Sequence, residues 1–324
     1  FHWRWHTNDL RPHPGDPDQG IFSGNAFLAK DGNVVITYHG VGTDGNCVAF
    51  SSDKNLETWK KPKANPIAKP GWDPYMWYEN NTYYMISGNI PVAEGRPERP
   101  VLLYSGSSYM DALKPVGNFM KYDLPDVESF EDVSCPDFFK LEDKWVLLCI
   151  SHTKGARYYI GQWDGKQFTP ETHHRMNWPG GTFFAPETLL DDKGRRILWS
   201  WVLDSKSGVS SGTMSMPRVL SLSKDKKSLQ IEPPKEIGLL RYQPVVGKPF
   251  SVTPAKPVSL PGISGNSLEL DLTIDPGQAK RFGLKLYRSP DGKEETPVVI
   301  DLEKNTVSID TRKSSLDTIN YRRF

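Results

Sequence analysis

One pattern recurs along this chain and constrains its fold more than any other feature: an entry strand, a tight polar turn and an apolar strand. The first copy turns at Asp31-Gly32, a dipeptide typical of two-residue β-hairpin loops. The copies span 26–38, 75–86, 137–150 and 188–201. Their starts lie about 50 residues apart, the length of a four-stranded propeller blade. Since helical periodicity is nearly absent, the pattern predicts an all-β chain that contains a β-propeller.

The two ends of the chain add to this prediction. Residues 1–6 resemble the end of a repeat, so we expect the chain to begin partway through its first blade. Helix is predicted only as a turn or two near 233–241. Beyond it prolines become frequent, and alternating strands follow at 267–272, 282–287, 298–302 and 306–310. These strands predict a β-sandwich, which we expect to be incomplete as well.

The composition argues against several classes of function. The 324 residues carry a formal net charge of +1, which gives no electrostatic reason to expect binding to nucleic acid or to a membrane surface. No apolar run is long enough for a transmembrane helix, and no signal peptide is visible. The three cysteines have neither zinc spacing nor a short-range pair, so we predict no metal and no cofactor. The sequence does not identify the cellular compartment, although a secreted or periplasmic location is slightly favoured.

Acidic and hydroxyl residues recur where the entry strands begin. Ser23, Asp73, Ser134 and Glu187 take comparable places, at or just before the four strands. The innermost strands of a propeller line its central channel, so these residues should converge at one end of that channel. Acids in a funnel rimmed by Trp and Phe suggest glycoside cleavage. That reaction needs one group to protonate the leaving oxygen and another to attack or stabilise the oxocarbenium-like centre.

Other polar residues have simpler interpretations. Acids beside turns often cap those turns, so we interpret four further carboxylates as solvated or turn-forming. They are Glu131, Asp132, Glu142 and Asp143. We interpret His173 and His174 as surface residues rather than metal ligands, because no carboxylate lies at a suitable spacing.

Several short motifs follow one another in a fixed order. They are 22–26 (Phe-Ser-Gly-Asn-Ala), 71–74 (Gly-Trp-Asp-Pro), 134–137 (Ser-Cys-Pro-Asp), 183–188 (Phe-Phe-Ala-Pro-Glu-Thr) and 214–218 (Met-Ser-Met-Pro-Arg). In this order they resemble motifs of glycoside hydrolase family 32, the invertase, inulinase and levanase family. The resemblance runs through nearly the whole chain.

This resemblance implies a fold and an activity. The fold is a five-bladed β-propeller followed by a β-sandwich. We therefore expect the propeller at 1–232, a linker at 233–258 and a partial sandwich at 259–324. The implied activity is retaining hydrolysis of terminal fructosyl units of sucrose or fructans, with a small carbohydrate as the substrate.

The resemblance also implies roles for individual residues by position. Asp73 would stabilise the transition state by binding sugar hydroxyls. Phe22 and Ser23 would line the sugar subsite. Cys135 and Asp137 would support the strand that carries the acid/base residue.

Three departures from the family pattern affect the expected chemistry. The nucleophile motif would lie upstream of Phe1, so we expect this chain alone to be inactive. Trp72 replaces an arginine, which removes a fixed charge from the substrate site. Ser134 stands where the family has its acid/base glutamate, and a serine hydroxyl is far too weak an acid to protonate a glycosidic oxygen. Glu187 is the first candidate for the missing acid, and Asp132, on the same strand face as Ser134, is the second.

Two other readings of the sequence stay open. One is a propeller that binds sugar but has lost catalysis together with its acid. The other is a related five-bladed glycosidase that acts on a different sugar, with the resemblance reflecting the fold alone. An intact aspartate motif upstream of Phe1 would favour an enzyme over a binding protein.

Overall fold

The computed structural model describes residues 5, 10–89, 100–121, 124–128, 130–178, 181–203, 212–254, 256–260 and 262–316. The chain divides into two compact units, the first ending at Pro234 and the second beginning at Lys235. Both are built from antiparallel strands, and the chain is nearly all-β as predicted. A 3₁₀ helix, Lys235–Leu240, lies where a turn or two of helix was expected. Within the described ranges, no helix is both long and apolar enough to cross a membrane.

The described residues of the first unit form four antiparallel sheets, each from one continuous stretch of chain. The first sheet consists of β1 (Gly20–Ile21), β2 (Ala26–Leu28), β3 (Val34–Val41) and β4 (Gly45–Ser51). The second consists of β5 (Pro74–Glu79), β6 (Thr82–Ser87), β7 (Leu102–Gly106) and β8 (Lys114–Asn118).

The third and fourth sheets follow in the same way. The third consists of β9 (Ser134–Leu141), β10 (Lys144–Ser151), β11 (Gly155–Trp163) and β12 (Phe168–Arg175). The fourth consists of β13 (Phe183–Leu190), β14 (Arg196–Leu203), β15 (Gly212–Met214), β16 (Arg218–Leu222) and β17 (Leu229–Glu232). In the second and third sheets the strand order follows the chain, whereas β14 of the fourth pairs with β13, β15 and β16.

The predicted hairpins are present in all four sheets. They are the antiparallel pairs β2–β3, β5–β6, β9–β10 and β13–β14. Their turns use residues that tolerate a left-handed backbone, such as Gly32 with φ 83°. Asn80 and Asn81 both have positive φ, 48° and 60°, which suits a tight turn that matches the twist of β5 and β6. Turn chemistry local to each repeat therefore positions these strands.

Successive sheets pack face to face in chain order. The second and third sheets meet in an aromatic cluster, where Trp77 contacts Phe138 edge to face with ring centroids 5.3 Å apart. Aliphatic clusters join the other neighbours, with Val48 and Met85 between the first two sheets and Leu148 and Leu198 between the last two. Burying these faces gives each sheet stability that an isolated hairpin would lack.

The opening strands of successive sheets are neighbours. β2 contacts β5, β5 contacts β9, and β9 contacts β13. Asn25, just before β2, links the first two sheets, because its side-chain amide donates to the carbonyl of Met76 at 2.9 Å and accepts from its N–H at 2.8 Å. This arrangement brings the starts of β5, β9 and β13 close together.

The second unit contains a three-stranded antiparallel sheet. Its strands are β18 (Arg281–Leu286), β19 (Thr296–Asp301) and β20 (Thr306–Ile309), which confirm three of the predicted strands. The prediction of a strand at 267–272 is wrong, since these residues form no strand in the structure. Their alternating pattern finds no neighbouring strand to pair with, and five of the six residues are exposed.

Candidate active site

The opening strands of the second, third and fourth sheets begin with the same unusual backbone. A non-glycine residue with positive φ precedes a proline in each: Asp73 (28°), Cys135 (45°) and Ala185 (45°). Residues before proline normally adopt an extended backbone with negative φ, so the surrounding structure must hold these three in a strained conformation. Backbone strain of this kind clusters at functional sites.

The register of the third and fourth sheets shifts at the same place. Between Ser134 and Asp137, β9 has one more residue than the facing part of β10, and β13 has the same excess between Phe184 and Glu187. Such β-bulges re-aim the side chains around them and are common next to active sites. Asp137 and Glu187 thereby occupy matching positions on neighbouring strands.

Asp137 links these two strands. Its Oδ2 atom accepts a hydrogen bond from the Thr188 hydroxyl at 2.6 Å, across from β9 to β13. Burial raises the pKa of Asp137 to about 6, while the bond from Thr188 and the charge of Arg196 act in the opposite direction. Asp137 therefore keeps part of its proton under mildly acidic conditions.

The surroundings of Glu187 favour the neutral form of its carboxyl group. Burial, followed by the negative charges of Asp137 and Asp73, raises the pKa of Glu187 well above its usual value. This carboxyl group therefore keeps its proton to a higher pH than an exposed glutamate does, and it can donate that proton. Its side chain lines an open pocket of about 370 Å³, whose wall also includes Trp199 and Trp201. A protonated acid facing a pocket of ligand size is the arrangement expected of a general acid.

Asp73 lies among donors from the neighbouring sheets. Its Oδ2 atom accepts the backbone N–H of Cys135 at 3.0 Å and lies 3.5 Å from the Cys135 thiol. Burial raises the pKa of Cys135, so the thiol keeps the hydrogen it can donate. The same sulfur lies 3.9 Å from the hydroxyl of Ser23. Burial also raises the pKa of Asp73, against the opposing effect of these hydrogen bonds.

Trp72 and Ser134 contact each other. The indole Nε1–H of Trp72 donates to the Ser134 hydroxyl oxygen at 3.2 Å. The Ser134 hydroxyl in turn lies 2.9 Å from Oδ2 of Asp132 and 3.1 Å from the backbone carbonyl of Asn89, and it can donate to either. Ser134 is fully buried, so its hydroxyl serves to connect Trp72 with Asp132.

Asp132 is buried and holds a histidine, so the expectation that it is solvated is wrong. Its Oδ1 atom accepts the backbone N–H of His152 at 2.8 Å, and Oδ2 lies 2.7 Å from Nδ1 of the same residue. His152 directly follows β10 and its side chain is 36 % exposed. The structure therefore contains an Asp132–His152 dyad beside Ser134.

Glu131 is buried as well, again contrary to expectation. It pairs with the guanidinium groups of Arg157 and Arg175, each at 2.7 Å. Burial raises the pKa of Glu131, but hydrogen bonds and charges from the two arginines outweigh this and lower it overall. Neither arginine is near in sequence, so no local signal predicts this cluster.

Three other interpretations can be compared with the structure. Glu142 and Asp143 are exposed at the turn between β9 and β10, as predicted. His173 is not a surface residue: it is buried, with Nδ1 2.6 Å from Oδ2 of Asp126, because β12 turns it towards the core. His174 is partly buried and contacts the Lys227 carbonyl. In the part of the chain that the structure describes, no group of three or more His, Cys, Asp or Glu could hold a metal ion.

Aromatic rings surround these polar groups. On one side Phe22 contacts His39 at 6.3 Å, and His39 contacts Trp72 at 5.0 Å between ring centroids. On the other side His152 contacts Phe184 at 6.0 Å, and Phe184 contacts Trp201 at 6.1 Å. With the hydrogen bonds through Ser134, the rings form an arc that crosses all four sheets.

The structure brings all eight residues predicted for the site into this region. They are Phe22, Ser23, Trp72, Asp73, Ser134, Cys135, Asp137 and Glu187. Sequence reasoning missed His39 and His152. His39 lies in a strand of mixed polarity that gives no signal, whereas His152 is a polar residue placed directly after the apolar run of β10, which could have drawn attention to it.

Comparison with protein families gives two matches that together cover nearly the whole chain. Residues 1–233 match the glycosyl hydrolases family 32 N-terminal domain, and residues 237–323 match the glycosyl hydrolases family 32 C-terminal domain. The boundary between the two matches coincides closely with the boundary between the two compact units.

Similar proteins carry names of fructosyl hydrolases. A cell-wall β-fructofuranosidase of Pisum sativum is 25 % identical, covering 98 % of this chain and 71 % of that protein. A sucrose-6-phosphate hydrolase of Zymomonas mobilis is 26 % identical, covering 98 % and 68 %. The levanase of Bacillus subtilis is 25 % identical, covering 93 % of this chain but only 49 % of the levanase.

Solved structures show the same fold at lower identity. Fructan 1-exohydrolase IIa from Cichorium intybus superposes with a TM-score of 0.68 at 22 % identity, over 94 % of this chain and 71 % of that chain. Exo-inulinase from Aspergillus awamori gives 0.69 at 19 % identity, over 93 % and 70 %. The shared fold is a propeller joined to a β-sandwich.

Proposed function

Because the chain belongs to glycosyl hydrolase family 32, we propose that this glycosidase removes terminal fructosyl units from sucrose or fructans. The observation that carries the proposal is the convergence of Asp73, Asp137 and Glu187, of which Glu187 lines a pocket and has a raised pKa. Glycoside cleavage requires such a proton donor together with a carboxylate that stabilises the sugar cation. The relatives named β-fructofuranosidase, sucrose-6-phosphate hydrolase and levanase support fructose as the sugar.

We assign the stabilising role to Asp73. Its Oδ2 atom is fixed by the backbone N–H of Cys135, so the carboxylate does not need to reorganise when substrate binds. A preoriented carboxylate can accept hydrogen bonds from sugar hydroxyls as positive charge develops on the ring. Phe22 and Ser23, next to this group, would contact the sugar.

We assign the first proton transfer to Glu187. Its neutral carboxyl group can protonate the glycosidic oxygen, which allows the C–O bond to break and the leaving sugar to depart as an alcohol. Burial, followed by the negative charges of Asp137 and Asp73, raises the pKa of Glu187 and so favours the protonated form until then. Asp137 would support the same strands without contacting the substrate.

Finer features of the architecture are part of the proposal. We propose five blades for the propeller, with boundaries at 1–232 for the propeller, 233–258 for a linker and 259–324 for the sandwich. The four sheets in chain order and the family match that ends at 233 support this division.

One observation favours a second function. Ser134 stands in place of the family's acid/base glutamate, and its buried hydroxyl is committed to hydrogen bonds. A protein of this kind could bind a fructan through its aromatic arc without cleaving it. The arrangement of Asp73 and Glu187 at the pocket favours the hydrolase. Sugar binding alone does not require a proton donor beside a second acid.

Fructose release separates the two functions. The full-length protein would be incubated with sucrose, inulin and levan, and compared with its Asp73→Asn variant. The hydrolase releases fructose from at least one substrate, and Asp73→Asn lowers that rate by about 10²–10³-fold, as for loss of one preorganised electrostatic contact. Calorimetric binding of a fructan with no release of fructose would establish the binding function instead.

A further inference from the structure

Strand alternation in β3 places His39 beside the residues assigned to sugar contact. Val35, Thr37 and His39 lie two residues apart, so their side chains point to the same face of the first sheet. That face packs on the second sheet, because Val35 shares a core cluster with Met85. His39 therefore faces the segment before β5, which carries Asp73.

Backbone hydrogen bonds hold His39 next to Phe22 and Ser23. The N–H of His39 donates to the carbonyl of Ser23 at 3.1 Å, and its carbonyl accepts from the N–H of Phe22 at 3.1 Å. Phe22 is 56 % exposed, and its ring centroid lies 6.3 Å from that of His39. A ligand that contacts Phe22 therefore comes close to the imidazole as well.

The imidazole ring of His39 also lies near an aromatic ring and an acid of the second sheet. Its centroid is 5.0 Å from that of Trp72. Burial raises the pKa of Asp73, and His39 is among the groups whose charge opposes this shift, so the imidazole is close enough to the carboxylate for their charges to interact. A sugar that contacts both Phe22 and Asp73 is thus within reach of His39.

The Nδ1 atom of His39 differs from that of two other histidines. In His39 it is buried and has no hydrogen-bond partner among the described residues. In His152 and His173 it lies 2.7 and 2.6 Å from an aspartate oxygen, which determines the nitrogen that carries the hydrogen. Since no described residue sets the tautomer of His39, its neutral ring can offer Nε2 either as a donor or as an acceptor.

A sugar hydroxyl suits such a nitrogen. Every hydroxyl both donates and accepts hydrogen bonds, so it can pair with Nε2 in either tautomer. Small-molecule sites combine aromatic walls with a few polar groups that fix the orientation of the ligand. Phe22 and Trp72 supply the rings, and an ionised Asp73 only accepts hydrogen bonds. His39 adds a group to this surface that can also donate.

Asn46 keeps the surface around His39 closely packed. The two residues pair directly across β3 and β4, so their side chains share one face of the sheet. A side-chain carbon on Gly71 would come within 2.7 Å of Cγ and Oδ1 of Asn46, so glycine is needed for the chain before Trp72 to lie this close. The first sheet therefore supports the ring that His39 contacts, as a preorganised site requires.

We propose that His39 is a further substrate-binding residue, whose Nε2 atom hydrogen-bonds one hydroxyl of the fructosyl ring held at Asp73. Nε2 is the nitrogen that a ligand can reach, because Nδ1 is buried. This inference rests on the proposed fructosyl hydrolysis. It makes His39 a determinant of specificity, since a fructosyl unit that lacks this hydroxyl, or carries a substituent on it, leaves Nε2 unpaired.

The test uses the full-length protein and 4-nitrophenyl β-fructofuranoside, whose leaving group has no hydroxyl, together with analogues that each lack one fructosyl hydroxyl. The value of kcat/KM is measured for the wild type, for His39→Phe, which keeps a ring beside Trp72, and for His39→Gln, which keeps hydrogen bonding. His174→Phe is the matched control, because the ring of His174 stacks on Tyr158 from β12, away from the site.

We expect His39→Phe to lose about 5–10-fold in kcat/KM on the parent fructoside, the size of one neutral hydrogen bond. On the analogue that lacks the bound hydroxyl, the wild type and His39→Phe should agree within about twofold, because neither can form the bond. On the other analogues the loss should persist. His39→Gln should lose less, and His174→Phe should match the wild type.

Two outcomes overturn the proposal. One is a His39→Phe variant, shown by circular dichroism to be folded, that keeps the wild-type rate on the parent fructoside. The other is an equal loss on the parent and on every analogue, since His39 would then act through ring packing alone. His39→Leu makes the same comparison if His39→Phe does not fold.

Failure of the proposed function looks different, because the wild type itself would then release no nitrophenol. The comparison would in that case be made on Kd, measured by calorimetry for the same fructosides and variants. A loss of affinity in His39→Phe that disappears on one analogue supports the contact, and an equal loss on all of them contradicts it.

Discussion

The indole N–H of Trp72 donates a hydrogen bond to the hydroxyl of Ser134 at 3.2 Å. Trp72 lies just before β5 and Ser134 begins β9, so the bond joins the starts of two neighbouring strands through neutral side chains. Because one bond joins the two side chains, changing either residue should alter the effect of changing the other.

This coupling predicts a non-additive double-mutant cycle. Trp72→Phe should lower the free energy of unfolding by about 1 kcal/mol through loss of the hydrogen bond, beyond any packing change. In a Ser134→Ala background the same change should cost less, with a coupling energy of about 0.5–1 kcal/mol measured by urea unfolding. Trp59→Phe is the control, because its indole donates to the Leu56 carbonyl and has no contact with Ser134. Additive effects would show that the Trp72–Ser134 bond contributes nothing to stability.

Glu131 should be essential for the stability of the third sheet. Glu131→Gln leaves Arg157 buried without its charge partner, so we expect a loss of about 3–5 kcal/mol in the free energy of unfolding. The folded-state pKa of Glu131 is lowered, so this stabilisation is present at neutral pH and is lost as pH falls through that pKa.

The control for Glu131 is Glu171→Gln, whose ion pair with Lys144 is at the surface. It should change the free energy of unfolding by no more than about 1 kcal/mol. Denaturant titrations at neutral and acidic pH measure both variants. Equal effects at the two sites would contradict the account of a buried cluster.

Local and long-range features of this molecule differ in how well the sequence predicts them. The hairpins could be predicted, because turn residues such as Gly32 and Asn81 lie next to the strands they join. The burial of Asp132 could not, since it depends on His152, 20 residues later in the chain. The eight predicted site residues came from motifs at strand starts, whereas His39 and His152 enter the site only through the packing of one sheet on the next.

Asp137 should make the free energy of unfolding depend on pH in the mildly acidic range. Its pKa is raised to about 6 in the folded protein from an ordinary value of 3.8, so the folded state binds the proton more tightly than the unfolded state. The resulting stabilisation is fully present below the unfolded-state pKa and is lost as pH rises through the folded-state pKa.

Asp137→Asn should therefore flatten the fall in unfolding free energy between about pH 4 and pH 6. Denaturant midpoints measured at intervals across this range provide the check. Asp143→Asn is the control, because Lys226 lowers the pKa of that exposed carboxyl and it titrates below the range. If the free energy of unfolding of the wild type rises from pH 4 to pH 6 and that of Asp137→Asn shows the same trend, Asp137 is not the group responsible.

The measurement that tests the account most directly is the pH dependence of kcat/KM for Glu187→Gln beside the wild type, both as the full-length protein. The substrates are sucrose, whose leaving group needs a proton, and a 4-nitrophenyl fructoside, whose leaving group does not. Activity of the wild type on sucrose should fall as pH rises through the raised pKa of Glu187. Glu187→Gln should lose about 10²–10⁴-fold on sucrose, together with this basic limb, and far less on the aryl fructoside. Unchanged turnover of sucrose, or an equal loss on both substrates, would contradict the assignment of Glu187 as the proton donor.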